Sequence, residues 1–135
     1  MKIVRYGETG DEKPGFIDSN GNLRDLSKQF EDIDGSFLSG DNLSRLTSAN
    51  EEGFPLVKGN ERFGVPVANP SKLIAIGLNY ADHAEETNSP IPTEPIVFMK
   101  AVSAITGPND DVIIPSHSKK SDWEVELAFI IGTTA

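Results

Sequence analysis

The chain has 135 residues, a hydrophobic fraction of 37% and a formal net charge of −9. Its 21 acidic residues against 12 basic ones repel phosphate backbones, so nucleic acid is not an expected partner. The absence of cysteine excludes disulfides, thiolate nucleophiles and Cys-type zinc sites, and the longest apolar run, "LAFII", is far short of the roughly 20 residues of a membrane span.

The start, "MKIVRYGETG", lacks the apolar stretch of a signal peptide, and the expectation is a cytoplasmic protein. Residues 2–6 read as a strand. "PGFIDSNGNLRDLS" carries a hairpin signature, with Asn20-Gly21 as the turn because both residues tolerate positive φ. A short helical segment is expected near 27–31. "SGDNLSRLTSAN" (39–50) reads as one helix, capped by Asp41 or Ser39, with Leu43 and Leu46 on one face. Between 51 and 70, glycines and prolines break every period, which marks a connection. The division expected is a small N-terminal domain with linker over 1–70 and a second domain over 71–135.

From Lys72 the texture changes. "KLIAIGL" (72–78) reads as a buried strand. "NYADHAEETNSP" (79–90) reads as a short helix with Asn79 as N-cap, ended by Asn88, Ser89 and Pro90. "PIVFMK" (95–100) reads as a strand, "GPNDD" (107–111) as a turn and "VIIP" (112–115) as a short strand. "DWEVELAFIIG" (122–132) reads as a core strand.

On that last strand, alternation puts Trp123, Val125, Leu127 and Phe129 on one face and Asp122, Glu124, Glu126 and Ala128 on the other. The acidic face is either a solvated side of a sheet or a pair of carboxylates converging on one hard cation. His83 and Glu86 lie three apart on the short helix and share a face. They are either surface residues with an incidental ion pair, or a general base whose tautomer the carboxylate fixes. The nearby helix N-terminus favours the neutral imidazole. Lys100, at a strand end, either snorkels to solvent or meets a substrate carboxylate.

Three stretches in this order, "IGLNYADHAEE", "PIVFMKAVSAITGPNDDVIIP" and "DWEVELAFIIG", strongly resemble the fumarylacetoacetate hydrolase family, from about Lys72 to Gly132. "EKPGFIDSNGNLRDLS" resembles, less specifically, the small leading domain of bacterial members, often labelled ureidoglycolate lyase or hydrolases of 2,4-diketo-3-deoxy sugar acids. The resemblance implies an α+β, β-rich fold: a small N-terminal domain and the first part of a catalytic domain built on a rolled mixed β-sheet. It implies Mg2+ or Mn2+, held in part by Glu124 and Glu126, and a water-activating dyad of His83 and Glu86. Lys100 and Tyr80 are expected to touch substrate.

The implied reaction is hydrolysis of a C–C bond in an acylpyruvate-like 1,3-diketo acid. Lyase, decarboxylase or isomerase chemistry on the same scaffold is the alternative, and an inactive truncated member is another. The implied partners are a small oxo acid and a second copy in a homodimer. A third metal ligand, an Asp, and a further lysine belong to a later part of the family pattern. The expectation is therefore an N-terminal portion of a longer member.

Overall fold

The computed structural model describes residues 1–133. The chain packs as two units, Met1–Ala68 with the chain from Thr106 on, and Asn69–Ile105.

The first unit is built on a three-stranded antiparallel sheet in the order β1-β2-β3, from β1 (Lys2–Tyr6), β2 (Lys13–Ile17) and β3 (Leu23–Asp25). The register sets Ile3 opposite Phe16 and Ile17 opposite Leu23. The expected hairpin is present, and its turn is organised by Asp18 as well as by glycine. Gly21 takes φ +84°, which a side chain disfavours. The Asp18 carboxylate accepts from the backbone N–H groups of Asn20 (2.9 Å) and Asn22 (2.8 Å) and from Arg24 Nε (2.8 Å).

One face of this sheet carries the core. Phe16, Leu26, Ile33, Phe37 and Leu46 are buried, with Ile3, Phe30, Leu38 and Phe54 against them. Phe16 meets Phe54 edge-on at 5.3 Å, and Phe30 meets Phe37 at 4.9 Å, the arrangement that ring quadrupoles favour.

The helix expected over 39–50 is present in shorter form as α2 (Asn42–Thr47), with Asp41 at its N-cap position, and a short helix that was not foreseen, α1 (Gly35–Ser39), precedes it, with Gly40 between them in extended backbone. Asp34 caps α1 by accepting from Phe37 N (2.9 Å). The break lets Phe37 and Leu46 both reach the core, whereas Leu43 stays exposed. The segment near 27–31 is a single turn, closed by Phe30 N donating to Leu26 O (3.0 Å), rather than a helix.

The glycine- and proline-rich connection has irregular backbone, as expected, but it is not idle. Residues 55–57 bond to β3, through Asp25 N to Pro55 O and Val57 N to Leu23 O (2.9 Å each). Residues 62–64 bond along β1, through Gly7 N to Arg62 O and Gly64 N to Arg5 O (2.9 Å each).

Beyond the turn at Gly107–Asp110, the strands expected over 112–115 and 122–132 do not form. Residues 111–131 make no ladder, and Ile113, Trp123 and Phe129 are exposed. A strand is a ladder as well as an extended backbone, and among the described residues no strand forms a ladder with these stretches.

In the second unit β4 (Leu73–Gly77) and β5 (Ile96–Lys100) form an antiparallel pair, Leu73 opposite Lys100 and Gly77 opposite Ile96. Both strands were expected, but β4 is not the buried one foreseen: Ile74 and Ile76 are exposed, as is most of β5. Two strands alone bury little. Between them runs α3 (Ala81–Glu86), whose Ala84 is buried. Its N-cap position is taken by Tyr80 rather than Asn79. Its end is the one expected: Ser89 N bonds to Ala84 O (2.9 Å) and Asn88 N to Glu85 O (3.0 Å), with Asn88 at φ +51°. That double closure around a left-handed residue is the Schellman stop.

Candidate active site

The α3 helix is the element that brings candidate groups together. One turn of helix sets residues three apart side by side, and His83 Nδ1 lies 3.9 Å from Glu86 Oε2. That separation is an ion-pair distance and too long for a hydrogen bond. Both side chains stand in solvent, 56% and 80% exposed. The imidazole is therefore free to turn toward a reactant, and the carboxylate is within reach to orient it.

Just before the helix, Leu78 takes φ +47°, a backbone that a bulky L residue adopts only where its surroundings impose it. Leu78 sits on the lip of an open hollow lined also by Tyr80, Ala81, Ile91, Thr93 and Glu94. Tyr80 is partly exposed there, with its ring available to a small molecule. Lys100 ends β5 with its Nζ 5.5 Å from the centre of the Phe98 ring, inside cation–π range. The ammonium thus has an aromatic partner on its own strand.

Glu124 and Glu126 lie in the first unit, in the exposed stretch without a ladder. Their side chains offer the hard oxygen donors that Mg2+ or Mn2+ prefers. Two carboxylates make only part of such a shell, and among the described residues no three His, Cys, Asp or Glu side chains gather to hold a metal ion. As they stand, these residues do not complete a metal centre.

Sequence reading missed one cluster in the first unit. Arg62 makes a two-pronged pair with Asp110, Nε to Oδ1 at 2.7 Å and Nη2 to Oδ2 at 2.6 Å. Its Nη1 donates to Glu12 Oε1 (2.9 Å) and to Gly7 O (3.1 Å). Arg5 lies on the far side of Glu12 (3.6 Å) and pairs with Asp32 through Nε (2.7 Å) and Nη2 (2.9 Å). The Arg62 bonds hold the Asp110 carboxyl well below the usual carboxylate range, and Asp110 in turn raises the guanidinium. The partners stand 48 and 50 residues apart, so no local pattern could announce them.

The segment carrying α3, β4 and β5 falls within the part of the chain that a family model matches. Residues 72–135 match the family model described as fumarylacetoacetate (FAA) hydrolase, C-terminal. Among its relatives is a Burkholderia ambifaria protein named "Putative hydrolase", 52% identical over 134 residues, an alignment covering 99% of this chain and 48% of that protein. Another is a 2,4-didehydro-3-deoxy-L-rhamnonate hydrolase of Sphingomonas sp., 50% identical over 134 residues and covering 99% and 45%. The chain spans about half the length of the curated relatives it matches.

A similar solved structure is the "Crystal structure of a putative HpcE protein from Mycobacterium smegmatis", with a TM-score of 0.67 at 25% identity over 86% of this chain and 41% of that one. The fold class is the one expected, α+β and β-rich, with a small leading module and part of the family's larger domain.

Proposed function

We propose that this chain serves the metal-dependent hydrolysis of a C–C bond in an acylpyruvate-like 1,3-diketo acid, with water activated by His83 and Glu86. The observation that carries the reading is the dyad, set side by side on α3 within the stretch that matches the family. The Sphingomonas relative, named for hydrolysis of a 2,4-didehydro-3-deoxy sugar acid, supports the substrate class.

In this reading His83 takes a proton from water while Glu86 holds the ring in the productive tautomer. The water oxygen bonds to the distal carbonyl carbon. The C–C bond on its inner side then breaks, leaving a carboxylic acid and the enolate of a pyruvate-like fragment, to which a proton returns. Tyr80 and Lys100 bind the acid. A divalent cation, Mg2+ or Mn2+, polarises the oxo-acid end when bound. Glu124 and Glu126 would be two of its ligands, and further oxygen donors would be needed beside them. The division by role, 1–70 as leading domain and 71–135 as part of the catalytic domain, belongs to the same proposal, as do a homodimeric protein and a cytoplasmic location.

Two measurements test it together. Calorimetric titration with Mg2+ and Mn2+ should show saturable binding that E124A and E126A each abolish. Product analysis with acylpyruvates should show an acid and a pyruvate in equal amounts, and H83A should lose turnover while keeping metal binding. A fully active H83A chain would sink the dyad, and an unsaturated product would reveal a lyase.

A further inference from the structure

The tip of the β2–β3 hairpin joins a reactive pair of residues to an exposed turn. Asn20 is the one asparagine of the sequence that is followed by glycine. The side-chain amide carbon of an asparagine lies within reach of the next backbone nitrogen, and closing that ring is intramolecular. A following glycine has no Cβ to hinder the approach. Asn20 and Gly21 are both exposed, and a Cβ on Gly21 would meet nothing within 4 Å, so the space around the pair is open. The backbone N–H of Asn20 donates to Asp18 (2.9 Å), but among the described residues its side-chain amide has no hydrogen-bond partner. Other asparagines use theirs: Asn22 Nδ2 donates to Asp18 (3.3 Å), Asn42 Nδ2 to Phe37 O (3.2 Å), and Asn50 Oδ1 accepts from Glu52 N (3.2 Å). Asp34, the one aspartate followed by glycine, is likewise engaged, accepting from Phe37 N (2.9 Å) and Ser36 Oγ (2.7 Å) as the cap of α1.

We propose that Asn20 is a site of spontaneous covalent modification, deamidation to aspartate and isoaspartate, and that Asp18 sets its pace. Gly21 N loses its proton to solvent base and bonds to the side-chain carbonyl carbon of Asn20. The bond from that carbon to the amide nitrogen breaks, and ammonia leaves with a proton from water. The five-membered imide that remains is opened by water. Attack on the side-chain carbonyl gives aspartate; attack on the main-chain carbonyl gives isoaspartate, whose chain runs on through the side chain. No oxidant or reductant is needed. The turn restrains the first step, because Gly21 N donates to Asp18 O (3.1 Å) and must let go before it attacks. That bond is at the long end of the usual range. Either product sets a new carboxylate beside those of Asp18 and of Glu51, which accepts from Ser19 N (3.0 Å) and Ser19 Oγ (2.8 Å). Isoaspartate also adds a methylene to the main chain, which shifts Asn22 away from its bonds to Asp18: N to Oδ1 (2.8 Å), and O from Asp18 N (2.9 Å).

The test incubates the whole chain for weeks in mildly alkaline heavy-oxygen water, followed by proteolysis and mass spectrometry of the peptides. The peptide holding Asn20 should gain the mass of an amide-to-acid exchange with one heavy oxygen, and should split into two chromatographic forms. The peptides holding Asn42, Asn50 and Asn60 should stay unchanged, and Asp34 should not isomerise. N20Q should abolish the change, since glutamine must close a larger ring. D18A, and the unmodified chain in urea, should each convert several-fold faster than the folded chain, and the converted fraction should melt at a lower temperature than the unconverted one. The proposal is overturned if Asn20 keeps its amide, or if Asn60 converts before it. Conversion at Asn20 that runs at one rate in the folded chain and in urea overturns the control by the turn; if D18A fails to fold, that comparison alone decides it.

Discussion

Replacing Phe16 with alanine tests the account of the N-terminal module most directly. Phe16 is fully buried, lies opposite Ile3 on the sheet, and meets Phe54 edge-on at 5.3 Å. Truncating such a ring costs about 3–5 kcal/mol, through lost transfer energy and the cavity left behind. At roughly 0.05–0.15 kcal/mol per residue, a unit the size of Met1–Ala68 holds only about 3–10 kcal/mol in total. F16A should therefore lose a third or more of the module's stability. Urea unfolding followed by far-ultraviolet circular dichroism gives the difference by linear extrapolation. Ile113, 91% exposed, supplies the control, since I113A should stay within about 0.5 kcal/mol of the unmodified chain. The amide of Asp110 should lose exchange protection in F16A as well, because its partner Arg62 belongs to the module. An F16A chain less than about 1 kcal/mol weaker than I113A would refute the core described above.

Asp18 makes the module acid-sensitive. Burial pushes its carboxyl up, but the bonds from Asn22, Arg24 and Asn20 outweigh that and hold it at about 2, against an ordinary 3.8. A carboxyl depressed on folding contributes stability that is complete above its unfolded pKa and is lost as pH falls toward the folded one. Thermal melts from pH 5 down to pH 2 should therefore show a steeper loss in the unmodified chain than in D18N, and parallel losses would contradict this. At the hairpin tip, G21A should cost roughly 1–2 kcal/mol by urea titration, because φ +84° is costly for a residue with a Cβ. In turnover assays, H83A should remove the 10²–10⁴-fold or so that a general base provides. On the proposed reading, in which Glu86 acts through the imidazole, E86Q should cost less than H83A; an equal loss would give the carboxylate a role of its own.

What the sequence made legible was what neighbours in the chain decide. Asn20-Gly21 marked the hairpin because a turn is a property of adjacent residues, and Asn88 marked the end of α3 for the same reason. The apolar runs of β4 and β5 announced strands, and His83 and Glu86 were placed together by helical spacing alone. What escaped was decided at a distance. The helix α1 was not foreseen, and it brings Phe37 to the same core that Leu46 of α2 reaches. "VIIP" and "DWEVELAFIIG" have the composition of strands, but composition supplies no partner, and the ladder depends on one. Alternation put Glu124 and Glu126 on one face, and that face exists only once such a ladder forms. The Arg62–Asp110 fork joins residues that no window of sequence contains together.

The hydrogen bonds that residues 55–57 and 62–64 make along β3 and β1 have a consequence for how copies of this chain meet. The outer strands of a sheet are templates for the strands of strangers, and in the first unit both margins are partly occupied by the chain's own connection. Among the described residues, β4 and β5 pair only with each other, leaving two free margins beside exposed isoleucine, valine, phenylalanine and methionine. Within the two sheets, recruitment of a foreign strand is thereby directed to the β4–β5 pair. A lysine placed on the outward margin of β4 or β5 should keep concentrated solutions clear, whereas the same change on β1 should do little.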